Sequence, residues 1–150
     1  MKIYIASDHA GYWLKESLKE DLRSWGHEVE DLGNLNYDQG DDYPDFVIPL
    51  AEKVAKEYRS LGIVIGRSGN GEAIAVNKIK GIRAAVCLTE EMAKKAREDN
   101  DANILALGSL YIDDNHAEKI VGVFVDTPFP EEERHQRRID KISAYEASRN

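Results

Sequence analysis

The sequence lacks several things that would place it in a special class. It has one cysteine, Cys87, which excludes an intramolecular disulfide framework and makes the cytoplasm the expected compartment. No apolar run approaches the ~20 residues that a membrane-spanning helix requires. Positive charge is outnumbered, with 20 Lys and Arg against 28 Asp and Glu. No segment is basic enough to neutralise a row of nucleic-acid phosphates, so a nucleic-acid partner is not expected. The four histidines have no partners at metal-ligand spacing, and no metal is expected. The chain opens with MKIYIASDHAG, which reads as a strand and not as a secretory leader. Internal repeats, linkers and low-complexity tracts are also absent.

What remains is a chain of 150 residues, 42% hydrophobic and 32% charged, an ordinary globular composition long enough for one domain over 1–150. Short apolar runs alternate with helical segments, the pattern of a parallel α/β protein. Strands are expected over 2–7, 27–32, 61–65, 82–88 and 102–107. Helices are expected over 11–25, 44–58, 72–79, 90–99, 115–125 and 131–148. Trp13, Leu14, Leu18, Leu22 and Trp25 recur at helical spacing and read as packing positions. The unbroken LGIVI run at 61–65 reads as a strand covered on both faces. The fold expected is therefore a doubly wound, three-layer Rossmann-like α/β domain with a five-stranded parallel sheet. The last segment, 131–148, is nearly all polar and poorly explained by burial against its own sheet. It is expected to reach a partner subunit through Ile139, Ile142 and Tyr145.

Three constellations carry chemistry. In LGIVIGRSGNGEAIAVNK, residues 61–78, a strand runs through Gly66, Arg67, Ser68, Gly69, Asn70 and Gly71 into a helix. Such a loop brings backbone N–H groups close to a ligand and forms an anion-binding concavity. The glycine order is the reverse of a dinucleotide fingerprint, and no Gly-Lys-Ser/Thr follows, so nucleotide binding is disfavoured. Glu72, directly after the loop, either favours a helix N-terminus or serves as a general base with the loop and Ser68 stabilising an oxyanion. SDHAG places Asp8 and His9 where the first strand ends, the edge at which open parallel sheets bind ligands. RHQRRID places Arg134 and Arg138 four apart on one helical face, suited to gripping a phosphate; a solvated face paired with Glu131–Glu133 presents the same pattern. Cys87 reads as a buried small residue, and His135 as a surface one.

Taken together, SDHAG, DYPDF (42–46), GRSGNGEAIAVNK, GIRAAVC, NDANILALGS and RHQRRIDKI resemble, in this order and over nearly the whole chain, type B ribose-5-phosphate isomerases. Galactose-6-phosphate isomerase subunits share that scaffold. The resemblance implies an aldose–ketose isomerase acting through a cis-enediolate on a sugar phosphate, ribose 5-phosphate or another pentose or hexose phosphate. It implies no organic cofactor and no metal, and a homodimer or tetramer with active sites at the subunit interface. Asp8 and His9 would contact the sugar or its phosphate. Arg67, Ser68, Gly69, Asn70 and Gly71 would form the oxyanion loop, Asn100 would bind sugar, and Arg134 and Arg138 phosphate. One branch of the family uses a cysteine at the end of the third strand as base, and another a glutamate after the loop. Gly66 at the first position and Glu72 at the second place this chain with the glutamate branch. Two positions depart from the family pattern. Asp99 stands where a histidine commonly opens the sugar ring, and Leu110 where an arginine commonly reaches the partner's phosphate. An aspartate is ordinarily a poor acid at neutral pH, and one charge-assisted contact to phosphate is worth about 1.5–3 kcal/mol. A sugar-phosphate-binding protein without turnover is the alternative that these departures raise.

Overall fold

Alternation along the central strands decides the layering. In β1 (Lys2–Ser7), Ile3 and Ile5 pack into one core and Tyr4 and Ala6 into the other; in β3 (Leu61–Gly66), Ile63 and Ile65 part from Val64 in the same way. The computed structural model describes residues 1–149. It joins these strands to β2 (Glu28–Asp31), β4 (Ala84–Val86) and β5 (Ile104–Gly108) in a wholly parallel sheet of order β2-β1-β3-β5-β4. Parallel neighbours need crossovers, and here helices supply them on both faces. The face of Ile3, Ile5, Ile63, Ile65, Leu105 and Leu107 is covered by α1 (Tyr12–Ser24), α4 (Glu90–Asn100) and α5 (Asp114–Asp126). The face of Tyr4, Ala6, Val64 and Ala106 is covered by α2 (Pro44–Lys56) and α3 (Asn70–Val76). This is the doubly wound three-layer arrangement expected of the sequence. Among the described residues, no helix is long and apolar enough to cross a membrane.

Several elements differ in extent from expectation, each for a local reason. β4 forms ladder bonds over three residues, not seven, because it lies at the sheet edge and pairs with β5 alone. Its outer side is closed by the Asn77 side chain, which accepts the Ala84 N–H at 2.8 Å and donates to the Ala84 carbonyl at 3.0 Å. The helix after the glycine loop starts at Asn70, so Glu72 lies inside its first turn. Thr89 caps α4 as expected, accepting the Met92 N–H at 3.2 Å.

Neither tryptophan is a packing residue. The buried stripe of α1 is Leu14, Lys15, Leu18 and Leu22. A helix turns about 100° per residue, so Lys15 falls on the sheet side of Leu14 and Trp13 on the solvent side. Trp13 is 70% exposed, stacked on Tyr37 at 6.2 Å. Trp25 lies past the end of α1 and is half covered.

The last helix, α6 (Glu133–Ala147), packs against α4. Ile139 and His135 are buried within their own chain, while Ile142 and Tyr145 are exposed. Ile139 is therefore not available as a partner anchor, and the surface placement expected for His135 is overturned. Cys87 is buried as expected, and burial pushes its thiol up to about 11, which leaves it unreactive.

Lys15 is the largest fully buried side chain. Its ammonium lies 2.6 Å from the Asp31 carboxylate and donates to the Asn34 carbonyl at 2.8 Å, fastening α1 to the end of β2 and the loop beyond. Lys19 also reaches the Asp31 carboxylate, at 2.7 Å, so losing Lys15 leaves that charge one cation and the buried Asn34 carbonyl without its donor. Lys15→Met is expected to lower stability by about 1–3 kcal/mol, whereas exposed Lys80→Met changes it by less than about 0.5 kcal/mol. Urea denaturation of the two variants beside the parent checks this; equal midpoints for all three would contradict it.

Candidate active site

The site is built first from the end of β3. Gly66 closes the strand, and Gly69 takes a left-handed φ of +80° that lets the chain turn directly into α3. Residues 66 and 67 are pinned from the turn that follows β5. The Ser109 N–H donates to the Gly66 carbonyl at 2.9 Å and the Leu110 N–H to the Arg67 carbonyl at 3.0 Å. Within the loop, Ser68 Oγ accepts the Asn70 N–H at 3.3 Å. The first amides of α3 have no intrahelical carbonyl to meet and lie beside this loop.

Glu72 is only 3% exposed, and its burial depends on Gly66. A Cβ built at position 66 would overlap the Glu72 carboxylate. A side chain at position 66 and the Glu72 carboxylate therefore compete for one volume, and this chain fills it with the carboxylate. Burial raises the proton affinity of Glu72, with the negative charge of Asp8 acting in the same direction. Such a group is shifted toward the range in which a carboxylate exchanges protons near neutrality.

Asp8 and His9 stand at the same edge, where β1 ends. Asp8 is buried and caps the 3-10 turn His9–Gly11 by accepting the Ala10 N–H at 3.0 Å. Burial is also the main cause of its raised proton affinity. His9 Nδ1 lies 2.7 Å from Asp41 Oδ1, which also accepts the His9 backbone N–H at 3.0 Å. That contact is the principal cause of the raised His9 proton affinity. Asp41 was not singled out by sequence, and its only signal is its place in the Asp-rich loop before DYPDF. Tyr43 was likewise missed. A Cβ at Gly71 would come 2.7 Å from its ring, so Tyr43 lines the glycine loop. Ligating atoms of Asp8, His9 and Asp41 lie within 4.8 Å of one another. Both Asp41 oxygens are engaged, by His9 and by the Asn34 amide, so the trio reads as an ion pair beside a capping aspartate.

The remaining expected residues gather elsewhere. Asn100 ends α4, where its carbonyl accepts the Arg83 Nε–H at 2.8 Å, below the first residue of β5. Asp99 precedes it, 3.5 Å from His135 Nε2 on α6. Arg134 and Arg138 are exposed on that helix, and Arg134 pairs with Glu132 at 3.1 Å. This group occupies the edge where strands begin, and Glu72 the edge where they end. From Ile104 to Gly108, at ~3.3 Å per residue, the sheet separates them by roughly 13 Å. One chain thus brings Asp8, His9, Arg67, Ser68, Gly69, Asn70, Gly71 and Glu72 together. It does not bring Asp99, Asn100, Arg134 or Arg138 to them.

Two outcomes follow from Glu72. Gly66→Ala forces its carboxylate out and is expected to cost about 1–3 kcal/mol by overpacking, with turnover falling further than stability. The second concerns pH. A carboxyl whose folded-state proton affinity is raised favours folding below its unfolded pKa and loses that contribution as pH rises through the folded value. Glu72→Gln should therefore be no more stable than the parent near pH 4 and more stable near pH 8, as measured by thermal unfolding at both.

The fold recurs in known proteins. The family model described as Ribose/Galactose Isomerase matches residues 3–142. Ribose-5-phosphate isomerase B of Mycobacterium tuberculosis is 46% identical over 97% of this chain and 90% of its own. A crystal structure of ribose-5-phosphate isomerase B from Mycoplasma genitalium, with bound ribulose-5-phosphate, superposes with a TM-score of 0.95. It is 44% identical, covering 99% of this chain and 97% of that one. The Clostridium thermocellum ribose-5-phosphate isomerase B superposes at 0.94, also at 44% identity, covering 99% of both chains. The chain belongs to the ribose/galactose isomerase family and is an aldose–ketose isomerase.

Proposed function

We propose that this enzyme interconverts ribose 5-phosphate and ribulose 5-phosphate with Glu72 as its base. The observation that carries the reading is a buried carboxylate of raised proton affinity lodged beside a glycine-rich loop. Glu72 takes the proton from C2 of the open-chain aldose. The C2–H electron pair forms the C1–C2 double bond, and the carbonyl pair moves to O1. Ser68 Oγ–H and the amides of residues 67–71 stabilise the enediolate oxygen, the kind of preorganised donor set that lowers such barriers. The O2 hydroxyl proton then passes to O1, the freed O2 electron pair forms the C2 carbonyl, and the C1–C2 double-bond pair takes the proton from Glu72 at C1. Bound ribulose-5-phosphate in the similar Mycoplasma genitalium enzyme supports the choice of sugar.

The phosphate and ring-opening groups come from a second copy of the chain. Arg134 and Arg138 of one protomer grip the phosphate of a sugar lying over the partner's glycine loop. Asn100 binds its hydroxyls, and Asp99, backed by the buried His135, handles the ring-opening proton. A composite site explains why these residues face solvent at the wrong edge of their own sheet. The exposed Ile74, Leu110, Tyr111, Ile142 and Tyr145 supply apolar surface for the contact. A reducing compartment such as the cytoplasm suits the single thiol.

Turnover of ribose 5-phosphate in heavy water is expected to place deuterium on C1 of the ketose. Glu72→Gln should lower kcat by about 10²–10⁴-fold, and parental exchange in that variant would remove Glu72 as the base. The composite site has a separate test. Glu72→Gln and Arg134→Ala/Arg138→Ala proteins, each nearly inactive, are mixed, unfolded and refolded together. Half the dimers are then hybrids with one intact site each, so activity should recover to about one quarter of the parent. No recovery, with hybrids present by native mass spectrometry, would show that each site draws on a single chain.

A further inference from the structure

The Asp-rich loop before α2 holds a hydrogen-bonded chain that the proton transfer at Glu72 does not use. It begins at the buried Lys15, which donates to the Asn34 carbonyl at 2.8 Å. Asn34 is fixed again by its own N–H, which donates to the Ser7 carbonyl at 2.7 Å, while the Ser7 N–H donates to the Gly33 carbonyl at 2.8 Å. The side-chain amide of Asn34, itself buried, donates to Asp41 Oδ2. Asp41 Oδ1 then meets His9 twice, at the backbone N–H (3.0 Å) and at Nδ1 (2.7 Å). The Asp41 side chain is 7% exposed and the His9 side chain 34%. A carboxylate can only accept, so Nδ1 of His9 carries a proton. Nε2 is then the nitrogen left for a ligand.

Building on the isomerase reading, we propose that Asp41 is the positioning residue for the substrate phosphate. It locks the His9 ring through Nδ1, so that Nε2–H of the imidazolium meets the phosphoryl oxygens. The charge state matters because of what surrounds the ring. Asp8 at the adjoining turn and Asp38 and Asp41 on the facing loop all favour its protonated form. Those same carboxylates repel a phosphate dianion once the ring is neutral. Phosphate affinity at this edge therefore depends on whether His9 is charged, and Asp41 extends the charged range upward in pH. Both Asp41 oxygens are taken by His9 and Asn34, which leaves none for the reacting carbons, so its effect belongs to KM and not to kcat.

The test is Asp41→Asn, which keeps shape and removes the carboxylate. Ring signals of His9 are followed by NMR against pH, assigned with a His9→Asn protein. KM and kcat for ribose 5-phosphate, and the dissociation constant of inorganic phosphate, are measured at pH 6.0 and 7.5. The His9 midpoint should fall in Asp41→Asn and return in Asp41→Glu. KM and the phosphate dissociation constant should rise about three- to tenfold at pH 7.5, change less than about twofold at pH 6.0 where the ring is charged in both proteins, and leave kcat within about twofold. An unmoved His9 midpoint overturns the proposal. So does a lowered midpoint with unchanged phosphate affinity. If the parent binds inorganic phosphate with this pH dependence but converts no sugar phosphate, the isomerase reading fails and the role of Asp41 stands.

Discussion

A side chain at position 66 and the carboxylate of Glu72 cannot occupy the same space, and the rest of the catalytic edge is arranged around that exclusion. With glycine at the end of β3, the first turn of α3 can pack directly on the strand, and Glu72 enters the gap as a nearly inaccessible acid. Burial without a cationic partner raises its proton affinity, and Asp8 across the gap adds to the effect. The same close approach holds the glycine loop against the turn after β5, whose amides fasten the Gly66 and Arg67 carbonyls. Glu72 and the glycine loop are thus positioned together by one strand end.

The edge as a whole is acidic, which is unusual for a site that must admit a phosphate. Asp8, Asp38, Asp41 and Glu72 outnumber Arg67 and His9 there, while Arg134 and Arg138 lie at the far edge of the sheet. The sheet holds Arg134 and Arg138 apart from Glu72, because helix termini and loops alternate between the ends of parallel strands. In the proposed dimer a second copy supplies Arg134 and Arg138 to this edge, and opposite charges meeting there favour the productive orientation. Folding rests chiefly on the alternating aliphatic faces of β1, β3 and β5, and the buried Lys15–Asp31 pair fastens α1 at this same edge.

Much of this was legible in the order of residues. The five strands, the glycine loop, Glu72 after it and Asp8–His9 at a strand end all follow from local patterns, since each involves neighbours along the chain. Trp13 and Trp25 were misread because helical spacing identifies a stripe but not which side of it meets the sheet; Lys15, not a tryptophan, fills that position. His135 was misread because its burial depends on α6 folding back over α4, a long-range contact with no periodic signature. Asp41 and Tyr43 gave no signal stronger than membership of an acidic, turn-forming segment.

The sequence by itself therefore determined the class of fold, the chemistry of the loop and the choice of carboxylate over thiol, because those properties are local and set by residue type and spacing. Only the tertiary structure decided which groups share an edge. Parallel strands place residues that follow them at one end and residues that precede them at the other, whatever their separation in the chain. That geometry put Asp41 on His9 and Asp99 on His135, and left Arg134 and Arg138 a full sheet length from Glu72.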